Sequence, residues 1–591
     1  RNLDGIPYYL NNTYNNRVTA GLCKISHFSR RETMELRSKA LRTGLSRAPH
    51  RSLLKAGGFT DREIEQPWVG VACAVNEIVP GHVHLQQVAD AVKAGVRMGG
   101  GTPMQFGVIG ICDGIAMGHA GMRYSLPSRE VIADSIELMA QAHAFDAMVM
   151  IPNCDKIVPG MLMAAARLNL PTVVVSGGPM LAGRHRGGNV DFITVMEAQG
   201  AVEGGRMEEA ELAELEEEAC PGCGSCAGLF TANSMNCLTE AVGLGLPGNG
   251  TVPAPYARRL RLAKQAGLRV MEMLRKGRRP LDIITGPSLR NALAVDMAIG
   301  GSSNTILHLL ALAYEAGVEL DLHQVQEVCD ATPNLARISP AGGARHFMQD
   351  LDEAGGIPAV MGELLRRGLV DPEVPCVGAD RLGDLIEGKG TLNPEVLRPV
   401  EDPYMPTGGL AVLWGNLAPE GAVVKQSAVP DNLLRHRGPA RVFDTEEEAV
   451  AAMTGGNIRE GDVIVVRYEG PRGGPGMREM LNPTATIAGM RMADKVVLVT
   501  DGRFSGGTRG AAVGHISPEA AQGGLIALVE EGDVIELDIP GRSIRLEVDD
   551  AVLERRRRAW RAPEPRVKEG YLAEYARRVS SASHGAVRLR D

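Results

Sequence analysis

The sequence predicts an α/β protein with an N-terminal α/β domain built on a parallel sheet and a C-terminal, β-rich domain that is barrel-like. Three observations support this prediction. The chain has 591 residues, which is too long for a single hydrophobic core. Short apolar runs alternate with helical stretches between residues 70 and 178, as is typical of parallel sheets. Beyond residue 390 the apolar segments are short and strand-like.

Hydrophobic periodicity predicts the N-terminal elements in order. Strands are expected where short apolar runs end at proline or glycine, at residues 70–75, 147–151 and 172–176. Helices are expected at residues 83–98, 159–168, 207–219 and 227–244. The Glu-rich helix at 207–219 is interpreted as a solvated surface helix. Strand–helix alternation of this kind predicts ligand-binding loops at the carboxyl ends of the strands.

A change in composition predicts the domain boundary. Glycine and proline become frequent between residues 376 and 406, so we expect domains at residues 34–390 and 391–591. In the second domain, strands are expected at residues 410–413, 463–468, 496–500, 534–539 and 543–548. Pro540-Gly541-Arg542 is expected to form the turn between the last two strands. Residues 1–33 lack this periodicity, so a disordered leader or extension is expected there.

Composition excludes several classes of partner. The formal net charge of −8 provides no basic surface, so nucleic acid is not an expected partner. The sequence contains no apolar run of about 18 residues, so no membrane span is expected. Ten cysteines in so long a chain do not indicate a disulfide scaffold. A cytoplasmic protein with free thiols is the expectation.

The cysteines carry the strongest chemical signal. Cys220, Cys223 and Cys226 are spaced by three, and Cys154 follows the predicted strand at residues 147–151. Thiolates spaced this closely bind soft metals or iron–sulfur clusters. A ferredoxin-like run would require a cysteine at position 230, which is Phe230. A cluster with three cysteine ligands and one open iron is therefore favoured, with a structural zinc site as the alternative.

Oxygen and nitrogen donors occur in separate loops. Asp113 follows an apolar run, Asp155 and Lys156 follow Cys154, and Glu479 follows a glycine-rich segment. Carboxylates from separate loops suit magnesium, although each alone could be a turn or cap residue. Ser505 lies in a glycine-rich loop after the strand at 496–500, where it could be a nucleophile, a base, an anion-binding residue or part of a flexible turn. Its surroundings do not match the nucleophile elbow of hydrolases.

Several long motifs occur in a fixed order along the chain, at residues 47–54, 79–85, 113–119, 124–130, 153–156, 231–237 and 514–520. Together they give the chain a resemblance to the family of dihydroxy-acid, 6-phosphogluconate and sugar-acid dehydratases. The resemblance extends from about Met34 to about Trp560. The resemblance implies a two-domain enzyme, a homodimer or dimer of dimers, that removes water from a 2,3-dihydroxy carboxylate to give a 2-keto acid.

The resemblance also implies roles for individual residues. Cys154 and Cys226 correspond to cluster ligands, and Ser505 corresponds to the base. Asp113, Asp155 and Glu479 correspond to magnesium ligands, and Lys156 corresponds to a lysine that carries a carbamate and binds magnesium through it.

The third cluster ligand is where the family divides. Members with a 2Fe-2S cluster carry a cysteine where this chain has Gly81. The branch that carries cysteines like Cys220 and Cys223 is associated with a 4Fe-4S cluster. The resemblance thus favours a 4Fe-4S cluster, with 2Fe-2S possible, and makes Cys223 the expected third ligand and Cys220 the second choice.

The expected substrates are 2,3-dihydroxy-3-methylbutanoate and 2,3-dihydroxy-3-methylpentanoate, precursors in valine and isoleucine biosynthesis. One alternative is a sugar-acid dehydratase that acts on a longer polyol acid. Another is a noncatalytic metal-binding or redox protein, which would have no use for Asp113, Glu479 or Ser505.

Overall fold

The N-terminal sheet of the computed structural model has four parallel strands in the order β2-β1-β3-β4. The structure describes residues 35–341 and 345–590, so the predicted leader at 1–33 lies outside the described residues. Every residue of the central strands β1 and β3 is buried. The strands are β1 (Trp68–Cys73), β2 (Thr102–Gly107), β3 (Ala147–Ile151) and β4 (Thr172–Val174), and a small hairpin follows at β5 (Gly183–His185) and β6 (Gly188–Val190).

Helices pack against this sheet and continue to residue 386. Two of them, α4 and α11, approach closely, because a Cβ on Gly95 would lie 2.0 Å from the carbonyl oxygen of Lys264. The helices are α1 (Lys39–Arg42), α2 (Ala48–Ala56), α3 (Asp61–Glu65), α4 (Leu85–Met98), α5 (Asp113–Ala116), α6 (Ser125–Ala142), α7 (Ile157–Leu168), α8 (Phe192–Glu203), α9 (Glu209–Ala219), α10 (Thr231–Val242), α11 (Ala257–Lys276), α12 (Pro280–Ile283), α13 (Gly286–Ile299), α14 (Asn304–Ala316), α15 (Leu322–Ala331), α16 (Met348–Glu353), α17 (Gly356–Leu365) and α18 (Gly383–Ile386).

The C-terminal sheet has eight strands in the order β16-β15-β9-β10-β12-β14-β8-β7. Its two edges meet at Trp414, which bridges to Ser543 and accepts a 2.9 Å hydrogen bond from the backbone of Ile544. The sheet is therefore a nearly closed barrel, and the predicted fold class is confirmed. The remaining strands are β7 (Ala411–Leu413), β8 (Gly421–Val424), β9 (Arg435–Phe443), β10 (Val463–Val466), β11 (Glu479–Met480), β12 (Val497–Thr500), β13 (Arg503–Phe504), β14 (Ala511–Ser517), β15 (Val534–Asp538) and β16 (Ser543–Glu547).

The predicted hairpin at the end of the barrel is confirmed, since β15 and β16 pair antiparallel with Asp538 opposite Ser543. Strand β2 was not predicted because Pro103 interrupts its apolar pattern, and the strand lies at the sheet edge, where proline is tolerated. The last helices are α19 (Glu446–Thr454), α20 (Asn482–Gly489), α21 (Asp550–Ala559) and α22 (Gly570–Arg578). Within the described ranges, none of the helices combines the length and apolar character that a membrane span requires.

The topology directs six loops to one region. The loops that follow β1, β2, β3 and β4 begin at the carboxyl ends of four adjacent parallel strands. In the barrel, β10 and β12 are also parallel neighbours, and the loops after them lead into the short strands β11 and β13. In that two-stranded ladder Glu479 is paired with Arg503.

Candidate active site

A cavity of about 200 Å³ is lined by these loops. Its wall contains Asp191 and three further carboxylates, here called the oxygen group: Asp113, Asp155 and Glu479. It also contains four cysteines, here called the sulfur group: Cys112, Cys154, Cys220 and Cys226. Ser505 lines the same cavity. Residues more than 300 positions apart in the sequence thus meet at one site.

The oxygen group is tightly clustered. One carboxylate oxygen from each of Asp113, Asp155 and Glu479 lies within 4.8 Å of the others, and all three residues are buried. The buried Lys156 lies among them, with its Nζ 2.6 Å from Asp113 Oδ2, 3.5 Å from Glu479 Oε2 and 3.7 Å from Asp155 Oδ2. The structure therefore brings together all four residues that the sequence suggested for magnesium.

Lys156 neutralises part of the negative charge of the oxygen group. Burial raises the pKa of Asp155 to about 7, against the opposing effect of Lys156. Burial and Arg503 favour the neutral amine of Lys156, but Asp113, Glu479 and Asp155 together outweigh them and raise its pKa. Lys156 is therefore an ammonium group in this arrangement, and it neutralises part of the charge that a divalent cation would otherwise balance.

Two further residues of the oxygen group's surroundings were missed by the sequence reasoning. The buried Arg503 forms an ion pair with Glu479 and lies 3.9 Å from Asp113 Oδ2. Asn304, at the start of α14, donates a 3.1 Å hydrogen bond to Glu479 Oε2. Arg503 could have been noticed as a charge two positions before Ser505, whereas nothing in the sequence around Asn304 signals its role.

Ser505 is positioned by the short β11–β13 ladder. Its backbone N–H donates to the carbonyl of Met480 at 3.2 Å, which continues the ladder by one residue. Its Oγ accepts a 3.2 Å hydrogen bond from the backbone N–H of Gly507. Only 8% of Ser505 is exposed. A backbone donor aimed at a buried hydroxyl oxygen favours its ionised form.

The loop that carries Cys154 is fixed through its backbone. The N–H of Cys154 donates to Nε2 of the buried His82 at 3.2 Å. The side chain of Asn153 donates to the carbonyls of Gly81 and Gly178, both at 2.9 Å. These contacts join the loops after β1, β3 and β4 around one cysteine.

The loop that carries Cys226 is fixed in the same manner by the start of α10. Asn233 donates to the carbonyls of Cys226 and Gly228 and accepts a 2.7 Å hydrogen bond from Ser225 Oγ. Gly224 has a φ of +131°, and a Cβ there would lie 2.3 Å from the backbone nitrogen of Met180. Only glycine allows this loop to pack so closely against the loop after β4.

The thiols differ in their surroundings. A side-chain hydrogen bond from Cys154 to Cys112, together with burial, raises the pKa of Cys154 well above its usual value. Burial likewise raises the pKa of Cys226. Cys220 is exposed at the rim, and Cys223 is half-buried and does not line the cavity. Partly shielded thiols with raised pKa values, such as Cys154 and Cys226, stay protonated until a metal ion displaces the proton.

Much of the remaining lining is apolar. It includes Val79, Ile115, Met117, Phe192 and Phe230. The cavity thus offers sulfur and oxygen donors together with hydrocarbon surface. This donor set fits an iron–sulfur cluster on the cysteines and a magnesium ion on the carboxylates, because soft and hard metals select these ligands respectively.

Comparison with known proteins agrees with this chemistry. Residues 66–385 match the family model described as dihydroxy-acid/6-phosphogluconate dehydratase N-terminal, and residues 395–586 match its C-terminal counterpart. A dihydroxy-acid dehydratase of Moorella thermoacetica is 62% identical over 93% of this chain and all of its own length. Those of Carboxydothermus hydrogenoformans and Caldanaerobacter subterraneus are 61% and 57% identical, over 94% and 93% of this chain and 100% and 99% of their own lengths.

Proposed function

We propose that this chain, which belongs to the dihydroxy-acid/6-phosphogluconate dehydratase family, is a hydro-lyase of branched-chain amino acid biosynthesis. It converts 2,3-dihydroxy-3-methylbutanoate and 2,3-dihydroxy-3-methylpentanoate to 2-keto acids on the way to valine and isoleucine. Identities of 57–62% to full-length relatives named dihydroxy-acid dehydratase support this activity. The observation that carries it is the convergence of the oxygen group, the sulfur group and Ser505 on one cavity.

The cavity lining favours this substrate over a sugar acid. A substrate with one methyl-branched carbon needs hydrocarbon surface around C3, which residues such as Ile115, Met117 and Phe230 supply. A longer polyol acid would bury several hydroxyl groups against the same side chains. Each hydroxyl left without a hydrogen bond costs about 1–3 kcal/mol.

In this proposal Asp113, Asp155 and Glu479 would hold magnesium, and Cys154 and Cys226 would hold the iron–sulfur cluster. When bound, the two metal groups supply Lewis acidity toward the carboxylate and hydroxyl oxygens of the substrate. A carbamate on Lys156 would replace its positive ammonium group by a negatively charged oxygen ligand. The charge of the three carboxylates, which the Lys156 ammonium now compensates, would then need a divalent cation to balance it.

Ser505 is the proposed base. Its ionised oxygen takes the proton from C2 while the C3–O bond breaks. The leaving hydroxide takes this proton from the Ser505 hydroxyl and departs as water, and the resulting enol tautomerises to the ketone. A serine hydroxyl is too weak an acid to ionise unaided at neutral pH. The N–H of Gly507, which donates to Ser505 Oγ at 3.2 Å, favours the ionised oxygen.

The test is an assay of anaerobically purified enzyme with both substrate types. We expect 2-keto acid from the branched dihydroxy acids and little from sugar acids, together with iron, sulfide and magnesium by elemental analysis. Turnover of sugar acids alone would assign the chain to the other branch of the family. Zinc without sulfide, and no turnover of either substrate, would favour a noncatalytic metal-binding protein.

We also propose the cellular location and the oligomeric state of the enzyme. The nine cysteines of the described ranges are free thiols, which suits a reducing cytoplasm. We propose a homodimer or a dimer of dimers as the assembly, and light scattering of the anaerobic protein measures the mass of that assembly. We also propose a domain boundary near residue 390. The cluster is proposed to be of the 4Fe-4S form, which Mössbauer spectroscopy tests.

A further inference from the structure

Two Cys-Asp pairs occupy corresponding places in the N-terminal sheet. Cys112-Asp113 follows β2, and Cys154-Asp155 follows β3. These strands flank β1 on its two sides, and all three run parallel. Each loop thus offers a thiol and a carboxylate in adjacent positions at the same edge of the sheet.

The carboxylates of the two pairs meet, and so do the thiols. Asp113 and Asp155 belong to the same oxygen group, with ligand atoms within 4.8 Å. Cys112 and Cys154 share a side-chain hydrogen bond. Both cysteines line the cavity with Cys226. The pair after β2 therefore places its sulfur beside Cys154 for the same reason that it places its carboxylate beside Asp155.

The other candidate sulfurs are less well situated. Cys223, the third ligand expected from the family resemblance, does not line the cavity. Cys220 lines it but is exposed, whereas Cys112, Cys154 and Cys226 are all partly shielded. Ligand sulfurs of a cluster must converge on one volume, and regular spacing along a loop does not ensure this because successive side chains point in different directions.

We propose that Cys112 provides the third sulfur ligand of the cluster, with Cys154 and Cys226, and that Cys223 lies outside the ligand set. This inference rests on the iron–sulfur cluster of the proposed function. It extends the proposed function by giving each Cys-Asp pair both roles: its cysteine binds the soft metal group and its aspartate the hard ion.

The test compares Cys112→Ser with Cys223→Ser, Cys220→Ser and wild type after anaerobic reconstitution with iron and sulfide. The readouts are iron and acid-labile sulfide per chain and the visible absorption, which do not depend on turnover. Loss of a direct ligand should lower cluster content at least about tenfold, as even outer-shell changes weaken metal binding by that factor. We expect this loss in Cys112→Ser, with cluster content unchanged in Cys223→Ser and Cys220→Ser.

A matched control is Cys376→Ser, which changes a buried cysteine that does not line the cavity and retains a partner in the carbonyl of Ala379. A full cluster in Cys112→Ser, or its loss in Cys223→Ser or Cys220→Ser, would overturn the inference. If wild type itself takes up no iron and sulfide, the proposed function fails instead. The two failures are thus distinguishable.

A measurement on wild type covers the case in which Cys112→Ser does not fold. Alkylation followed by mass spectrometry is compared between the loaded protein and protein stripped by a chelator. Cys112, Cys154 and Cys226 should be protected only in the loaded protein, and Cys223 should react equally in both. Equal labelling of Cys112 in the two forms would exclude it as a ligand.

Discussion

The oxygen group and the sulfur group line the same cavity but are organised by different forces. The carboxylates contact charged and polar side chains directly: Lys156, Arg503 and Asn304, with Ser125 Oγ donating to Asp113 at 2.6 Å. The cysteines are positioned through the backbone of their loops, by His82, Asn153 and Asn233. The thiol of Cys154 interacts with that of Cys112 and lies 4.0 Å from Asp155 Oδ1.

The two groups therefore differ in charge state before a metal binds. The carboxylates of the oxygen group are already paired with Lys156 and Arg503, so part of their charge is compensated before magnesium would bind. The thiols of Cys154 and Cys226 are neutral, because a hydrogen bond to Cys112 and burial raise the pKa of Cys154 and burial raises the pKa of Cys226. Assembly of the proposed cluster would therefore have to displace their protons. Changes in one group should therefore affect its own metal more than the other, and the following predictions test that separation.

The largest effect is expected for Cys154→Ser. The cluster should be absent and dehydratase activity should fall below detection, because the serine oxygen is a poor ligand for iron. Magnesium binding should persist, since the oxygen group is intact. Visible absorption and iron and sulfide analysis measure the first effect, with Cys376→Ser as the control. An unchanged visible spectrum would remove Cys154 from the ligand set.

Ser505→Ala should lower kcat at least about 10²-fold, the lower end of general acid–base contributions. Cluster and magnesium contents should equal those of wild type, because Ser505 belongs to neither group. Steady-state kinetics on anaerobic protein measures the loss. Ser135→Ala, which changes a helix residue that donates only to the carbonyl of Ile132, is the matched control. Near-normal turnover would show that another group removes the proton.

Asn304→Ala should weaken magnesium binding about tenfold while leaving the iron content unchanged. Asn304 donates to Glu479 and accepts from Arg503, so its removal disturbs the orientation of a ligand without removing one. Activity titrated against magnesium and direct calorimetry measure the change. The comparison variant is Asn291→Ala, since the side chain of Asn291 forms hydrogen bonds with the backbone of Asp371, away from the cavity. Wild-type magnesium affinity would contradict the role given to Asn304.

The smallest effect is expected for Glu240→Gln, which changes a buried carboxyl on α10 that accepts hydrogen bonds from the backbone N–H groups of Gly248 and Gly250. Burial raises its pKa to about 8. The folded protein therefore binds more protons than the unfolded chain above about pH 4.3, and the free energy of unfolding falls as the pH rises to about 8.

Because glutamine cannot titrate, the free energy of unfolding of the Glu240→Gln variant should fall less steeply with rising pH than that of wild type. Its Tm should exceed that of wild type by about 1–2 °C at pH 8 and should not exceed it at pH 5.5. Thermal unfolding followed by circular dichroism at both pH values measures this. An equal shift at both pH values would mean that ionisation of Glu240 is not the cause.

The fold was largely predictable from local pattern. Strand β3 and helix α4 carry strong periodic signals, and both formed within two residues of the predicted bounds. Strand β2 was missed because Pro103 breaks the pattern, and β9 was missed because its polar and charged residues resemble a loop. Both strands are defined by pairing with neighbours that lie far away in the sequence.

The clustering of the candidate site residues was predictable where a donor side chain follows a strand-like apolar run. Asp113, Asp155 and Cys154 follow apolar runs, and strand ends of an α/β sheet converge. Cys112 was overlooked although it precedes Asp113, because the spacing of Cys220, Cys223 and Cys226 is more conspicuous in a linear sequence. Asn304 and Arg503 were missed because their roles exist only through Glu479, which is 175 and 24 positions away.

The sequence by itself determined the fold class, the family and the sulfur and oxygen donor types available to a site, since periodicity and residue chemistry are local properties of the chain. The tertiary structure decided which thiols share a cavity, which cations compensate the carboxylates and which backbone N–H contacts the serine oxygen. These depend on side-chain directions and on distances between segments that the order of strands in two sheets brings together. No spacing along the chain encodes them, because proximity across a sheet is set by pairing and not by separation in sequence.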